Sequence, residues 1–362
     1  SYRPVPMVTH AIEYQLFENS PATGHFFNIV FFAGCVIALF VFLARLFGAQ
    51  NTDVAFIAAA LFAIHPIHTE VVANIKSRDE LLCFLFGFLA LNSFAGYVKN
   101  SKITQLALGG LFLLLSFLSK ETAAATAVLI PFIYFMYLNE NKKRAAAVTL
   151  SSFSAFGLFM LMRMWVLGAG HTNQITALAN PLLSAPDIAT RIATAILVLG
   201  LYLRLLVVPY PLISDYSFNT IPLTGFGNVY VILALVAYLL MAGLAVFRLA
   251  RNKKDPLAFG IVLYLVSIAL FSNIPFLIYS QMAERFAFMA SAGYCVVLAL
   301  AFRLLAGRAG TAGFAFLKTK KVMMVALPAC VLLAALTVAR NSDWKDNYTL
   351  FEADAAKAQD NS

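Results

Sequence analysis

The chain has 362 residues, of which 61% are hydrophobic and 12% charged, with a formal net charge of +9. A water-soluble domain is nearer half apolar and a quarter charged, so composition excludes an ordinary soluble enzyme. The long apolar runs exclude a β-barrel, whose strands would be short and alternating, and the excess of Lys and Arg reports membrane orientation rather than nucleic-acid binding.

The fold class expected is therefore an all-α polytopic membrane protein. The first residues, SYRPVPMVTH, read as an exposed loop, because Arg3, Pro4 and Pro6 suit neither a signal peptide nor a start. Apolar segments follow at 26–47, 53–64, 81–98, 104–118, 122–138, 145–167, 188–209, 228–249, 257–275, 286–303 and 322–339. Several are shorter than the ~20 residues a straight crossing needs, which implies tilt or a locally thin bilayer. Cys35, Cys83, Cys295 and Cys330 all lie inside these runs and read as small buried hydrophobes, not as disulfides or metal ligands.

Basic clusters orient the segments. Lys99/Lys102, Lys142/Lys143/Arg144, Arg251/Lys253/Lys254 and Arg303/Arg308/Lys318/Lys320/Lys321 all belong on the cytoplasmic side. Three apolar segments separate Arg144 from Arg251, and an odd number of crossings cannot return to the same side. The preferred resolution makes 188–209, which carries Arg191 and Arg204 and ends in PYP, a re-entrant or interfacial element with both ends outside. The other resolution is that one of its neighbours does not cross. With the first, both termini lie outside, together with residues 65–80, Lys120/Glu121, Asp215 and Glu284/Arg285. Plain positive charge gathers on one face and mixed acid–base pairs on the other.

The densest of these pairs lies in HPIHTEVVANIKSRDE, residues 65–80. Ionisable side chains at membrane depth are costly and mark function by default. Pro66 suits the first turn of a helix, and in a helix Lys76 and Glu80 would pair at i,i+4 while Glu70 would sit near the N-terminus. The segment reads as a boundary pocket, with a solvated loop as the bland alternative. His65 and His68 have HxxH spacing, but HExxH is absent and no third His is near, so hydrogen bonding is favoured over a divalent metal. Lys120 closes a tight hairpin in FLSKETAAAT and reads equally as a loop charge or as a phosphate-reaching cation. Arg285, beside Glu284, suits bidentate phosphate binding. Arg204 sits between Leu203 and Leu205 and calls for an anionic partner.

Six blocks in order now resemble one family. SYRPVPMVTHAIEYQLF with GHFFNIVFF resembles the first outer loop and next helix of the transmembrane and tetratricopeptide-repeat O-mannosyltransferases and their bacterial relatives. HPIHTEVVANIKSRDELL resembles their HPxHTEAVA…RADLL block, and LSKET their LSKEQ block. PYPLISDYSFNTIP, SNIPF with AERFAFMASAGYC, and ARNSDWKDNYTLFEADAA match the rest.

The resemblance implies a GT-C glycosyltransferase bundle of about ten or eleven transmembrane or re-entrant helices over 1–340. It implies that 341–362 leads into tetratricopeptide repeats outside the membrane, and that the family's first helix and acidic motif lie before Ser1. The activity implied is transfer of a mannose-like sugar from a polyprenyl-phosphate donor to a protein hydroxyl on the extracytoplasmic face. Glu70 and Asp79 are then the acid/base candidates; Arg78, Lys120, Arg204, Glu284 and Arg285, with His65 and His68, are the substrate-binding candidates. No metal is called for. The partners implied are membrane lipids, the lipid-linked sugar, an acceptor protein and proteins held by C-terminal repeats, in a bacterial inner membrane or the endoplasmic reticulum. The rival readings are a non-enzymatic anchor presenting repeats to an envelope or secretion complex, and a transporter of lipid-linked sugar.

Overall fold

Proline sets the first break in the bundle. The residue before a proline is driven out of the α region. His65, before Pro66, is accordingly extended at φ −74° and ψ 125°. Helix α3 (Thr52–Ile64) stops there, and the chain resumes after a 55° bend as a short turn and α4 (Thr69–Ala73), so the two together make one broken span.

This computed structural model describes residues 2–18, 20–137, 141–168, 175–217, 220–305 and 319–359. Before the break come α1 (Pro4–Phe17) and α2 (Pro21–Phe47); after it come α5 (Arg78–Asn100), α6 (Ile103–Ser119), α7 (Ala124–Pro131) and α8 (Lys142–Leu167). Then follow α9 (Ile188–Val207), α10 (Val229–Arg251), α11 (Pro256–Ala269), α12 (Phe288–Leu305), α13 (Lys320–Asp343) and α14 (Asn347–Gln359). Seven helical stretches are long and apolar enough to cross a membrane, the broken pair adds an eighth, and three shorter apolar helices complete the set among the described residues. Each of the eleven apolar segments expected from sequence coincides with one of these, and the protein is an all-α, multi-pass membrane protein. The opening residues differ from expectation: 4–17 form α1 rather than a loop, with Pro4 and Pro6 in its first turn, where a missing N–H costs nothing.

The core is aromatic. Phe62 stacks on Phe84 at 5.1 Å and Phe84 on Phe88 at 4.4 Å. Phe42, Phe259 and Phe288 extend the stack across α2, α11 and α12. This column separates two chemically distinct ends. At one end Arg144 donates to the Val98 carbonyl, Arg45 to the Asn92 carbonyl, the Tyr137 hydroxyl to the Lys254 carbonyl, and Arg303 to Asn51. The basic clusters therefore share one end of the bundle; Arg308 and Lys318 lie outside the described residues. Two acid–base pairs, Arg303 with Asp53 and Arg248 with Asp255, lie at this end as well; the pairs expected from sequence occupy the other.

Helix α9 is a continuous helix and not an irregular element. Thr194 bonds the Thr224 carbonyl ahead of α10, and Leu199 accepts from Tyr238 within it, so α9 and α10 run in the same direction. The chain must double back between them. Before α9, Asn180 bonds Asn273 and the Ile278 carbonyl; at its end, the Leu206 carbonyl meets His65. Both flanks of α9 thus touch the polar end of the bundle.

The tightest seam joins α11 and α12. A Cβ on Gly293 would lie 2.5 Å from the Tyr264 backbone nitrogen and closer still to the Gly260 carbonyl oxygen. Backbone atoms cannot swing aside as side chains do, and overpacking costs about 1–3 kcal/mol even where side chains give way. Gly293→Ala is expected to lower the thermal unfolding midpoint of the purified protein in detergent by several degrees; an unchanged midpoint would contradict this close approach.

Candidate functional site

Residues 65–80 form neither a loop nor one helix. Asn74 breaks the run in an extended conformation and its side chain accepts from the Lys76 N–H. That break turns Lys76 outward, so the expected Lys76–Glu80 pair does not form. Glu80 instead takes the ammonium of Lys120 at 2.5 Å, and Asp79 takes the same ammonium at 3.3 Å. Burial alone would lower the Lys120 pKa, but the Glu80 and Asp79 carboxylates outweigh it and hold it above the ordinary lysine value.

Arg3, ahead of α1, completes the group. Its Nε and Nη2 reach the two oxygens of Glu121 at 3.0 and 2.7 Å, and its Nη1 reaches Asp79 at 2.5 Å. Across from it, Arg285 pairs with Glu70 twice, once through its guanidinium and once through its backbone N–H at 2.8 Å. Glu70 is fully buried behind Arg285, whose side chain is 30% exposed.

These groups border a cavity of about 680 Å³. One wall is charged: Arg3, Asp79, Lys120, Glu121 and Arg285. The other is apolar, from Leu270, Phe271, Phe276, Ile278 and Phe286. Lys76 and Tyr279 stand at its edges. The site is amphiphilic, with cations and carboxylates facing aromatic and aliphatic carbon.

Of the residues expected from sequence, Asp79, Lys120 and Arg285 line this cavity, and Glu70 backs it. The others do not line it. Arg78 is 1% exposed and its donors are taken: Nη1 by Glu13 at 2.6 Å, Nε by Asn28 at 3.0 Å and Nη2 by the Gly24 carbonyl at 3.2 Å. It clamps α1 and α2 to α5 and does not line the cavity. His65 accepts the Ile67 N–H at Nδ1, which places its proton on Nε2, facing the Leu206 carbonyl at 3.0 Å. His68 lies 2.7 Å from both the Phe62 carbonyl and the Ser291 hydroxyl. Both imidazoles tie the broken span to its neighbours and do not line the cavity. Among the described residues, no three His, Cys, Asp or Glu side chains converge as metal ligands.

Two further expectations are corrected. Arg204 is exposed and donates to the Tyr210 carbonyl at 3.1 Å; among the described residues it has no carboxylate partner, and a backbone carbonyl at the helix end takes that place. Glu284 points away from the cavity and accepts from the Tyr216 hydroxyl at 3.2 Å. Burial and the Glu284 charge raise the Tyr216 pKa well above normal, keeping that donor protonated.

Sequence reading passed over Arg3 and Glu13, and the cluster in which Arg340 pairs with Asp343 at 2.9 Å and Asp354 at 3.0 Å. Asp354 also takes two bonds from Ser214, which fastens α14 to the loop after α9. One signal was present: a buried Arg78 demands a carboxylate, and Glu13 is among the few acids upstream of it.

The family model described as dolichyl-phosphate-mannose-protein mannosyltransferase matches residues 3–166. A protein O-mannosyl-transferase of Caenorhabditis elegans is 28% identical over 98% of this chain and 48% of its own length. Protein O-mannosyl-transferase TMTC3 of Mus musculus is 28% identical over 97% of this chain and 40% of its own length. For TMTC4 of Mus musculus the values are 27%, 98% and 53%. No solved structure matches. The chain is thus similar to protein O-mannosyl-transferases along nearly its whole length. It spans about half the length of these curated relatives. The family match ends before Arg285, so the polar wall comes largely from the matched part and the apolar wall from the part beyond it.

The clamp role of Arg78 has a direct consequence. Removing one member of a buried ion pair costs about 3–5 kcal/mol, since the other charge is left stranded. Arg78→Ala is expected to lower the unfolding midpoint sharply in detergent, whereas Lys76→Ala, on the exposed side of the same turn, leaves it nearly unchanged. Equal midpoints for the two variants would refute the clamp.

Proposed function

We propose that this chain is the membrane part of a glycosyltransferase that moves a mannose-like sugar from a polyprenyl-phosphate donor to a protein hydroxyl on the extracytoplasmic face. The observation that carries the reading is the amphiphilic cavity. A lipid-linked sugar phosphate has an apolar tail and an anionic head, and this cavity offers each a matching wall. Relatives along nearly the whole chain are named protein O-mannosyl-transferases, which favours the same chemistry here.

The chemistry follows from the two walls. The acceptor hydroxyl oxygen bonds to the anomeric carbon, the anomeric carbon–oxygen bond to phosphate breaks, and the electron pair leaves on the phosphate. Lys120, Arg285 and Arg3 stabilise that developing charge. The acceptor proton goes to a carboxylate. Asp79 is the candidate within the cavity. In the ligand-free site it is held by Arg3 and Lys120. An incoming phosphate competes for both cations and so frees the Asp79 carboxylate to meet the acceptor hydroxyl. Glu70 is a positioning residue that aims Arg285.

In this reading the polar end faces out of the cytosol, as the positive-inside distribution requires. Both described ends of the chain lie on that side, in a bacterial inner membrane or the endoplasmic reticulum. Residues 341–362 lead into repeats that hold the acceptor or other proteins. A transporter would need a path between the two ends, and the aromatic column from Phe62 to Phe259 stands across it.

The test is a transfer assay with purified protein, synthetic polyprenyl-phosphate mannose and a protein acceptor. Asp79→Asn is expected to lower turnover by about 10²–10⁴-fold, the usual contribution of a general base, with donor binding retained. Arg285→Ala is expected to weaken donor binding as well. Wild-type turnover in Asp79→Asn would remove Asp79 as the base, and wild-type behaviour in both variants would remove this site.

A further inference from the structure

A second cavity, of about 560 Å³, lies at the basic end of the bundle, between the ends of α2, α5, α6 and α8. Three cations converge on it: Arg45 from α2, Lys99 from α5 and Arg144 from α8. Arg45 and Arg144 each spend one donor on a backbone carbonyl, of Asn92 and Val98 respectively. Among the described residues none of the three forms an ion pair, and no carboxylate lines the cavity. Charges that serve only to orient a membrane protein need lie on the correct side; they need not converge on one hollow. Phe42 and Leu46 give the cavity an apolar wall.

Gln105 also borders this space. The Gln105 side chain packs against the bare backbone of Gly96, where a Cβ would lie 2.5 Å from its Oε1. That oxygen is buried and has no hydrogen-bond donor.

We propose that this cavity is a binding site for an anionic phospholipid, of the phosphatidylglycerol type. Its phosphate sits among Arg45, Lys99 and Arg144, and its first methylenes lie on Phe42 and Leu46. Basic pockets between transmembrane helices take anionic lipid headgroups in this way. A choline or ethanolamine headgroup brings a cation towards three others and is disfavoured. The site is separate from the sugar-transfer cavity and does not depend on that reading.

The experiment is native mass spectrometry of the full purified chain after incubation with mixed vesicles of phosphatidylglycerol and phosphatidylcholine. Phosphatidylglycerol is expected to be retained preferentially. Lys99→Glu, at an exposed position, is expected to lower that retention about tenfold or more, at roughly 1 kcal/mol for each charge lost or opposed. Lys99→Gln is expected to lower it by a smaller factor, which guards against a folding defect in the charge reversal. Lys142→Glu makes the same charge change at the same end but outside the cavity, and is expected to leave retention unchanged. Equal retention of the two lipids, or equal loss in Lys99→Glu and Lys142→Glu, would overturn the proposal. Displacement of the lipid by inorganic phosphate at matched concentration would also overturn it and mark the site as one for free anions.

Discussion

A charge withdrawn from water among packed helices has to meet its opposite, and this constraint organises the polar end of the molecule. Arg78 meets Glu13, Lys120 meets Asp79 and Glu80, Arg285 meets Glu70, and Arg340 meets Asp343 and Asp354. Desolvation penalises each ion by several kcal/mol, so the pairs do not by themselves stabilise the fold relative to apolar packing. They do make it specific. Most join elements far apart in sequence, and a misplaced helix would strand a buried charge at each of them.

Within that network, the ions divide by what remains unused. Arg78 has protein acceptors on every side and is shut away from the cavity. Arg285 keeps part of its guanidinium open, and Lys120, Arg3 and Asp79 all border the hollow. The same chemical type thus serves as clamp or as ligand-facing group according to how many of its donors the protein has already taken. The basic end follows the opposite logic. Few acids are present there: Asp255 and Asp53 pair with Arg248 and Arg303, the other cations stay at the surface or cap carbonyls, and three of them are left to converge on one cavity.

The positions of the helices were legible in the chain because twenty or so apolar residues in a row have few alternatives in a membrane. Pro66 marked the break in the second span, and LSKET marked the turn that carries Lys120. The site was legible only in outline. Asp79, Lys120 and Arg285 stood out as polar groups beside apolar runs, and they do border the cavity. Arg78, His65 and His68 carry the same outward signal, yet the fold spends them on Glu13, Leu206 and Phe62. Arg204 looked costly in sequence and meets the Tyr210 carbonyl at a helix end. Arg3 was passed over because it sits in a proline-rich opening, where nothing local tells of Glu121, 118 residues further on.

Sequence alone determined that this protein is a helical membrane bundle with one basic end and one acid–base end, because hydropathy and charge act locally along the chain. It also carried the resemblance to O-mannosyltransferases, through ordered motifs. Only the tertiary structure decided which ions are consumed by the fold and which face a cavity, because pairing depends on contacts between segments distant in sequence. It likewise decided that α9 runs alongside α10 with both flanks at the polar end, since the direction of a helix is set by its neighbours and not by its composition.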